Sequence, residues 1–155
     1  MRKKLHQVIQ SVTDGQVFFA YQNGVKLPPK PYFTLFVISE DISLPVHREI
    51  ILDNGERVIE AHRQAMVQVD CYGKSSVSLL NALALRLTTD KALTLCDELN
   101  VAISCDSVKA APVSVSKVKW EDRAILTLYF NYTTQVEETV PIIEKTILSG
   151  DYLNG

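Results

Sequence analysis

The sequence predicts one α+β domain covering residues 1–155, with helices packed on one face of a mainly antiparallel sheet and a long projecting β-hairpin. Two observations carry this prediction. A helical pattern opens the chain, strand patterns follow, two helical patterns occupy the middle, and the last third alternates as strands do. In addition, Asn54-Gly55 joins two of the strand patterns with a strong hairpin turn signal.

Three helices are predicted from apolar spacing. In residues 3–13 apolar side chains recur along one stripe, and Asp14-Gly15 ends the helix. Residues 76–88 form the main helix, with Ser75 as its N-cap, and a shorter helix runs from about 89 to 99. The main helix is apolar around nearly its whole circumference. It therefore requires cover from the first helix or from a neighbouring subunit, as well as from the sheet.

The first strands lie on both sides of a turn-rich connector. Residues 17–21 are a short apolar run, and Tyr32 to Ser39 is apolar on both alternating faces, as in a strand that is covered on both sides. The hairpin strands run from Val46 to Asp53 and from Glu56 to about Tyr72. The second exceeds the usual length of roughly 3–10 residues. We therefore expect a hairpin arm, at about residues 44–72, to extend beyond the body of the domain.

The last third of the chain predicts three more strands, at residues 101–108, 113–118 and 120–136. The third is the clearest, because apolar and polar side chains alternate along it. Its inward-facing residues are predicted to be Trp120, Ala124, Leu126, Leu128, Phe130 and Tyr132. Apolar pairs return after this strand and predict a C-terminal arm at about residues 136–155.

The hairpin arm is the predicted contact surface. If Asp53 pairs with Glu56 across the turn, Glu49 lies opposite Glu60, and two like-charged pairs result. The basic residues 2–4 of a neighbouring subunit would relieve that repulsion, whereas screening by water on an uncontacted hairpin is the alternative. The candidate subunit-interface residues are Arg48, Glu49, Asp53, Asn54, Glu56, Arg57, Glu60 and Arg63.

Gly73-Lys74-Ser75 is the segment that comes nearest to a cofactor-binding motif. It follows a strand and opens a helix, as the end of a phosphate-binding P-loop does. The first glycine of that motif is missing, because Gln68 stands five residues before Gly73 and within the strand. We therefore interpret the segment as a strand-to-helix turn with a serine cap, and we predict no nucleotide binding.

The sequence shows neither the residue pattern of a metal site nor that of a redox-active cysteine pair. The same hairpin pairing places His47 opposite His62, but two histidines are too few for a catalytic metal site. The cysteines are odd in number and show no paired spacing, which predicts reduced thiols: Cys71, Cys96 and Cys105. The sequence thus predicts a protein that is not an enzyme and has no catalytic, cofactor-binding or metal-binding residues.

The composition is that of a globular protein, with 46% hydrophobic and 22% charged residues. The formal net charge of -2 gives no basic surplus for nucleic-acid binding. No apolar h-region lies near the start of the sequence, so we expect no signal peptide. No apolar run approaches the roughly 18 residues of a membrane span. We expect neither membrane association nor specific recognition of DNA.

Five ordered segments resemble the phage neck-terminator and tail-completion family. They are spread over about residues 5–148 and comprise Ala20-Tyr21-Gln22-Asn23-Gly24, Pro31-Tyr32, Asp70-Cys71-Tyr72-Gly73-Lys74, Trp120-Glu121-Asp122-Arg123-Ala124 and Asn131-Tyr132. The resemblance implies a structural virion subunit, made in the host bacterial cytoplasm and often assembled as a hexameric ring. It implies that the ring terminates the tail tube, contacting the tail tube protein and the head–tail connector protein. It also implies no cofactor, and a lumen that DNA passes without being read.

Two other interpretations stay open. One is a different virion position, as a head-closure or minor tail protein. The other is a small oligomeric enzyme whose active site draws residues from two subunits, which a search for motifs in a single chain would not find. A cluster of titratable groups with perturbed pKa values, located in a cleft between subunits, would favour the enzyme.

Overall fold

The structure is a computed structural model that describes residues 1–22, 24, 26–52, 56–117 and 119–139, with the backbone alone described at 45–47. Within these ranges it contains three helices and eight strands. The helices are α1 (Arg2–Val12), α2 (Ser76–Arg86) and α3 (Asp90–Glu98). The strands are β1 (Gln16–Phe19), β2 (Tyr32–Ile51), β3 (Glu56–Tyr72), β4 (Val101–Cys105), β5 (Lys109–Ala110), β6 (Val113–Ser116), β7 (Lys119–Glu121) and β8 (Arg123–Thr139).

One open sheet organises the fold. Its strand order is β1-β2-β3-β8-β4, and β5 pairs with β8 beside β4. The β1–β2 pairing is parallel, and the other pairings of this sheet are antiparallel. Strands β6 and β7 form a separate two-stranded sheet. The predicted α+β class with a mainly antiparallel sheet is confirmed.

The core lies between the helices and one face of the sheet. The predicted apolar stripe of α1 is buried, and it packs with the helix-facing side chains of β3 and β8 and the inner sides of α2 and α3. Burying an aliphatic or aromatic side chain of this kind stabilises a fold by about 1.5–3 kcal/mol. The core side chains with at most 1% exposure include Leu5, Val8, Ile9, Leu35, Ala65, Val67, Val69, Cys71, Leu80, Leu83, Ala124, Leu126, Leu128 and Phe130.

Helix α2 is covered only in part. Leu80 and Leu83 are buried, whereas Val77 is half-exposed and Leu85 is 71% exposed. The expectation that a helix apolar on all sides is covered on all sides therefore does not hold within this chain. Ser75 occupies the predicted N-cap position with a left-handed φ of 65°, but its side chain makes no cap hydrogen bond.

Strand β2 is longer than predicted. The sequence suggested two strands, one at residues 32–39 and one at 46–53, but the structure has one strand over Tyr32–Ile51. The hairpin with β3 therefore begins at Tyr32 and not near residue 44. Local irregularities in the β2–β3 register, which lie between Val37 and His47, carry the strand through residues 40–45, where no strand was predicted.

Trp120 is a second correction. It was predicted to face the core as part of a strand at 120–136, but it lies in β7 and is 67% exposed. The regular strand starts only at Arg123, so the alternation of β8 does not include Trp120. From Ala124 to Tyr132 the predicted inward residues are buried. The predicted C-terminal arm overlaps the end of β8 at residues 136–139, and its remainder, 140–155, lies outside the described residues.

Candidate assembly interface

The two ends of the long strands differ in burial. Here "the arm" denotes residues 42–52 of β2 and the following turn segment, 56–64 of β3, and 133–139 of β8. The core residues of β3 begin at Ala65, and the last buried residue of β8 is Tyr132. No side chain that the structure describes in the arm is buried. The arm is therefore a three-stranded ribbon beyond the hydrophobic core.

A Tyr132–Asp41 contact marks the junction of body and arm. The Tyr132 hydroxyl donates a 2.5 Å hydrogen bond to Asp41 Oδ1, and it accepts one from the Asp41 backbone N–H at 3.2 Å. Asp41 has a left-handed φ of 55°, uncommon for a residue with a side chain. Because β3 lies between them, this contact ties the two outer strands together across the sheet.

The predicted pairing of the hairpin is wrong by one residue. Arg48 pairs with Glu60 and Glu49 with Ile59, so Glu49 does not face Glu60. Likewise His47 pairs with Ala61 and not with His62. The Leu52 N–H donates to the Glu56 carbonyl, which leaves three residues between the paired ends where the prediction assumed two. A shift of one residue moves every side chain of a strand to the other face, so the predicted Glu49–Glu60 pair does not form. The other predicted pair, Asp53–Glu56, includes a residue outside the described ranges.

The charges of the arm are instead largely satisfied within the chain. Arg57 Nε lies 2.7 Å from Glu49 Oε1, and Arg57 Nη1 lies 3.6 Å from Glu138 Oε2. Gln135 donates a hydrogen bond to Glu60. The repulsion that was expected to recruit basic groups of a neighbour is therefore absent from these pairs.

The remaining candidate residues divide into three groups. Arg63 Nε contacts Thr134 Oγ1 at 3.4 Å, and Glu56 also has a partner. Arg48 is exposed and has no ion-pair partner among the residues described. Asp53 and Asn54, with Gly55 of the predicted turn, lie outside the described residues.

Two of the basic residues 2–4, which were predicted to contact the arm of a neighbouring subunit, make contacts within their own chain. Arg2 Nε lies 2.7 Å from Glu40 Oε1, and the Arg2 guanidinium lies over the Phe19 ring. Lys4 Nζ donates to the Leu99 carbonyl at 2.8 Å. These contacts hold α1 against the sheet and α3.

Both outer strands of the arm have an open edge. Strand β1 covers β2 only along Tyr32–Leu35, and β4 covers β8 only along Leu128–Tyr132. Among the residues that the structure describes, no strand lies outside β2 after that point or outside Thr133–Thr139 of β8. Open edges carry unpaired N–H and C=O groups and are ready templates for another strand.

A groove lies on the helix-free face of the sheet, at the body end. It has a volume of about 350 Å³ and is lined by aromatic and polar side chains: Phe18, Tyr21, Tyr32, Thr34, Phe36, Gln68, Asp70, Tyr72 and Arg123. Alternation along the sequence assigns Gln68 and Asp70 to one polar face of β3 and Arg123 to the polar face of β8. It offered no signal that these side chains meet.

Asp70 is the polar centre of this groove. It is 4% exposed and accepts hydrogen bonds from Arg123 Nη2 at 2.9 Å and from Gln68 Nε2 at 3.0 Å. Tyr72 stacks on Tyr32 at 5.1 Å and lies under the Arg123 guanidinium. The carboxylate is thus held by a buried ion pair, and an aromatic stack supports the arginine.

Two tyrosines of the groove have raised pKa values. Burial raises the pKa of Tyr32, with the nearby Glu121 carboxylate adding to the effect. Burial, and then Asp70, raise the pKa of Tyr72. Both phenols are therefore neutral near pH 7 and can donate hydrogen bonds.

The Gly73-Lys74-Ser75 segment is a turn between β3 and α2. The Gly73 N–H donates to the Asp122 carbonyl at 2.9 Å, so this amide is already used. Gly73 has a φ of 114°, and a Cβ there would lie 3.1 Å from Lys30 Cβ, which explains why a glycine stands at this position. The geometry matches the interpretation as a strand-to-helix turn.

Cys71, Cys96 and Cys105 are free thiols. Burial raises the pKa of the Cys71 thiol to about 11. Within the described ranges, no group of three or more His, Cys, Asp and Glu side chains is placed to hold a metal ion. None of the helices described is long and apolar enough to cross a membrane.

Comparison with known families identifies the protein class. A family model for phage neck terminator proteins matches residues 2–155, nearly the whole chain. The chain belongs to the phage neck terminator family. The suspected resemblance is thereby confirmed, and membership assigns the protein to the neck of the virion as a structural component that interacts with other tail or head–tail proteins. No curated protein matches the sequence significantly.

Proposed function

We propose that this neck terminator protein forms a homohexameric ring that closes the end of the tail tube and joins it to the head–tail connector. In this proposal it has no catalytic role, no cofactor and no membrane contact, and DNA crosses the lumen without specific recognition. The protein is made in the host cytoplasm before it joins the virion. The observation that carries the proposal is the arm, because no described side chain in it is buried and, in the part of the chain that the structure describes, no strand pairs with the outer edges of its two outer strands.

An extension without a hydrophobic core gains stability when it contacts a partner. Folding a strand fixes backbone conformations at a cost of about 1–2 kcal/mol per residue, and in the body the burial of apolar side chains offsets that cost. The arm has no such core, yet it exposes apolar side chains, including Ile42, Ile51 and Val136. Contact with another subunit or virion protein would bury them.

Shortening the arm tests this proposal. Residues 49–59 are removed, and Arg48 is joined to Glu60, its pairing partner, through Asn-Gly. The described side chains in the deleted segment are all unburied, so the core is expected to survive, as judged by circular dichroism and thermal unfolding. In negative-stain images of isolated tail tubes, the full-length protein should cap the tubes and the shortened protein should not.

A matched control replaces only residues 53–55 with Gly-Ser-Gly, which changes the turn and keeps both strands. This variant should cap tubes as the natural sequence does. A shortened protein that folds and still caps tubes would show that the arm is dispensable. Binding to isolated connectors but not to tubes would assign the protein to head closure instead.

A further inference from the structure

The two open edges of the arm have the same polarity. Strand β3 is antiparallel to both β2 and β8, so β2 and β8 run in the same direction. In a ring with rotational symmetry, every subunit has the same orientation relative to the axis. The β8 edge of one subunit and the β2 edge of the next would therefore run parallel.

We propose that the arms of adjacent subunits join through their edges, with Thr133–Thr139 of β8 adding in parallel to the distal part of β2 in a second copy of this chain. The inference deepens the proposed ring function and rests on it. The interface is heterologous, since two different edges of one chain meet, and that is the type of contact that closes a ring. Backbone hydrogen bonds between the strands supply the affinity, as in strand addition to a sheet edge.

Side chains on the two edges are complementary on each face. Register with Glu60 and Val58 of β3 places Arg48 and Glu137 on the helix-free face of the sheet. Both are exposed, and neither has an ion-pair partner among the residues described. At the junction an arginine of one copy therefore lies on the same face as a glutamate of the next.

On the opposite face of the sheet, each of the two edges carries an exposed apolar side chain. Val136 and Ile51 both lie on the side of the sheet that faces the helices in the body, and they are 63% and 67% exposed. They are among the most exposed large apolar side chains of the described part of the chain, and they lie on opposite edges of the ribbon. Pairing the edges brings the two residues to one surface, where contact between them removes part of each side chain from water.

The irregular part of β2 restricts where such pairing occurs. Register irregularities interrupt β2 up to His47, and Pro45 has no N–H to donate. Both features protect an edge against unselective pairing. They leave His47–Ile51 as the regular segment, which pairs continuously with β3 and is close in length to Thr133–Thr139.

A symmetric β2–β2 dimer would be the competing use of the same edge. Such a contact pairs the strands antiparallel and is closed after two copies. It would leave the edge of β8 open and Glu137 without a partner. The parallel junction uses both edges and both charges, so it is the arrangement that the arm favours.

Cysteine cross-linking in the assembled protein tests the junction. Val136→Cys is combined in turn with Glu49→Cys and with Ile51→Cys, two positions on the matching face of β2 that cover neighbouring registers. Within one chain, β2 and β8 are two strand spacings apart, roughly 9–10 Å, which is too far for a disulfide that needs Cα atoms within about 7 Å. Mild oxidation should therefore produce a ladder of covalent multimers from at least one double variant, and no ladder from the single variants.

The outcomes separate this inference from the ring itself. Images that show rings, together with no ladder from either double variant, would overturn the edge junction and leave the ring standing. Dimers from Ile51→Cys alone would replace it with the symmetric contact. If no ring forms with or without tail tubes, the proposed function fails, and the edge junction fails with it.

A charge variant gives a second measurement. Glu137→Arg places two basic groups on one face of the junction and should raise the concentration for half-assembly about fivefold, since cross-strand pairs contribute up to about 1 kcal/mol. Glu98→Arg changes an exposed carboxylate at the end of α3 and should leave assembly unchanged. Equal effects of the two variants would contradict the junction.

Discussion

The two halves of strands β3 and β8 show how one pair of strands can serve two purposes. From Ala65 to Cys71, alternate side chains of β3 are fully buried under the helices, whereas from Glu56 to Gln64 none is buried. The pairing between β3 and β8 continues through both halves without a register shift. Regular strand pairing thus extends beyond the part of the strands that the hydrophobic core stabilises. The half without a core is available for contacts with other molecules.

The largest difference between the halves should appear when apolar side chains are truncated. Phe130→Ala removes a fully buried ring from the body and should lower the free energy of unfolding by about 4 kcal/mol, because a cavity remains. Val136→Ala removes an exposed side chain from the arm and should change it by less than about 0.5 kcal/mol. Urea denaturation measures both. Similar losses would show that the arm is packed in the free protein.

The next largest effect is expected at the helix-free face of the body. Asp70→Ala leaves Arg123 without its partner in a mostly buried position and should lower the free energy of unfolding by about 3 kcal/mol. Glu40→Ala removes the exposed ion pair with Arg2 and should cost less than about 1 kcal/mol. Comparable values for the two variants would mean that the groove is more open to water than the structure shows.

A smaller effect is expected at the junction between the halves. Tyr132→Phe removes the hydrogen bonds with Asp41 and should cost about 1–2 kcal/mol in urea denaturation near pH 7. Hydrogen exchange should then speed up in the arm more than in the body. Faster exchange in the body alone would contradict the role of this contact in holding the outer strands of the arm.

The same residue predicts an alkaline limit. Burial, followed by the hydrogen bond to Asp41, raises the pKa of Tyr132 from 10.0 to about 12. The folded state therefore favours the protonated phenol. Its contribution is complete below pH 10 and is lost as the pH rises from 10 to about 12. The natural protein should lose stability more steeply than Tyr132→Phe over this window, and parallel slopes would contradict the shifted pKa.

The smallest perturbation is chemical labelling, which compares the halves without changing the core. Because burial raises the pKa of Cys71 to about 11, iodoacetamide at pH 8 should modify it at least about 100-fold more slowly than a cysteine placed at Val136. Peptide mass spectrometry measures both rates in the same Val136→Cys sample. Rapid labelling of Cys71 would indicate that the body opens.

The elements with strong periodicity were predictable from the sequence. The stripe of α1, the extent of β3, and the alternation from Ala124 to Tyr132 all agree with the structure, because burial on one face leaves a repeating apolar pattern. The same reasoning failed for Trp120, because the alternation was extended back to residue 120 although the regular strand starts at Arg123. A sequence pattern does not show where one strand ends and a neighbouring short strand begins.

The geometry of the candidate site was less predictable, for two physical reasons. Hairpin register depends on the number of residues in the turn, and one residue more than assumed replaced the predicted Glu49–Glu60 repulsion with the Arg57–Glu49 ion pair. The groove depends on partners from separate strands, since Asp70 and Arg123 are 53 residues apart. Alternation assigns each to a face, but only the order of strands in the sheet brings them together.

The irregular pairing of β2 also has a mechanical consequence. Between Val37 and His47, ten steps of β2 run alongside only six steps of β3, from Val67 to Ala61. On the other side of β3, the pairing with β8 proceeds step for step. One edge strand of the ribbon, β2, therefore has more residues than the strand beside it, whereas the other edge strand, β8, has none to spare. Surplus residues of this kind bend a strand and increase its twist. We therefore expect the surplus length of β2 to bend the sheet where the arm begins. Trimming that surplus should straighten the ribbon and change the diameter of any closed structure built from it.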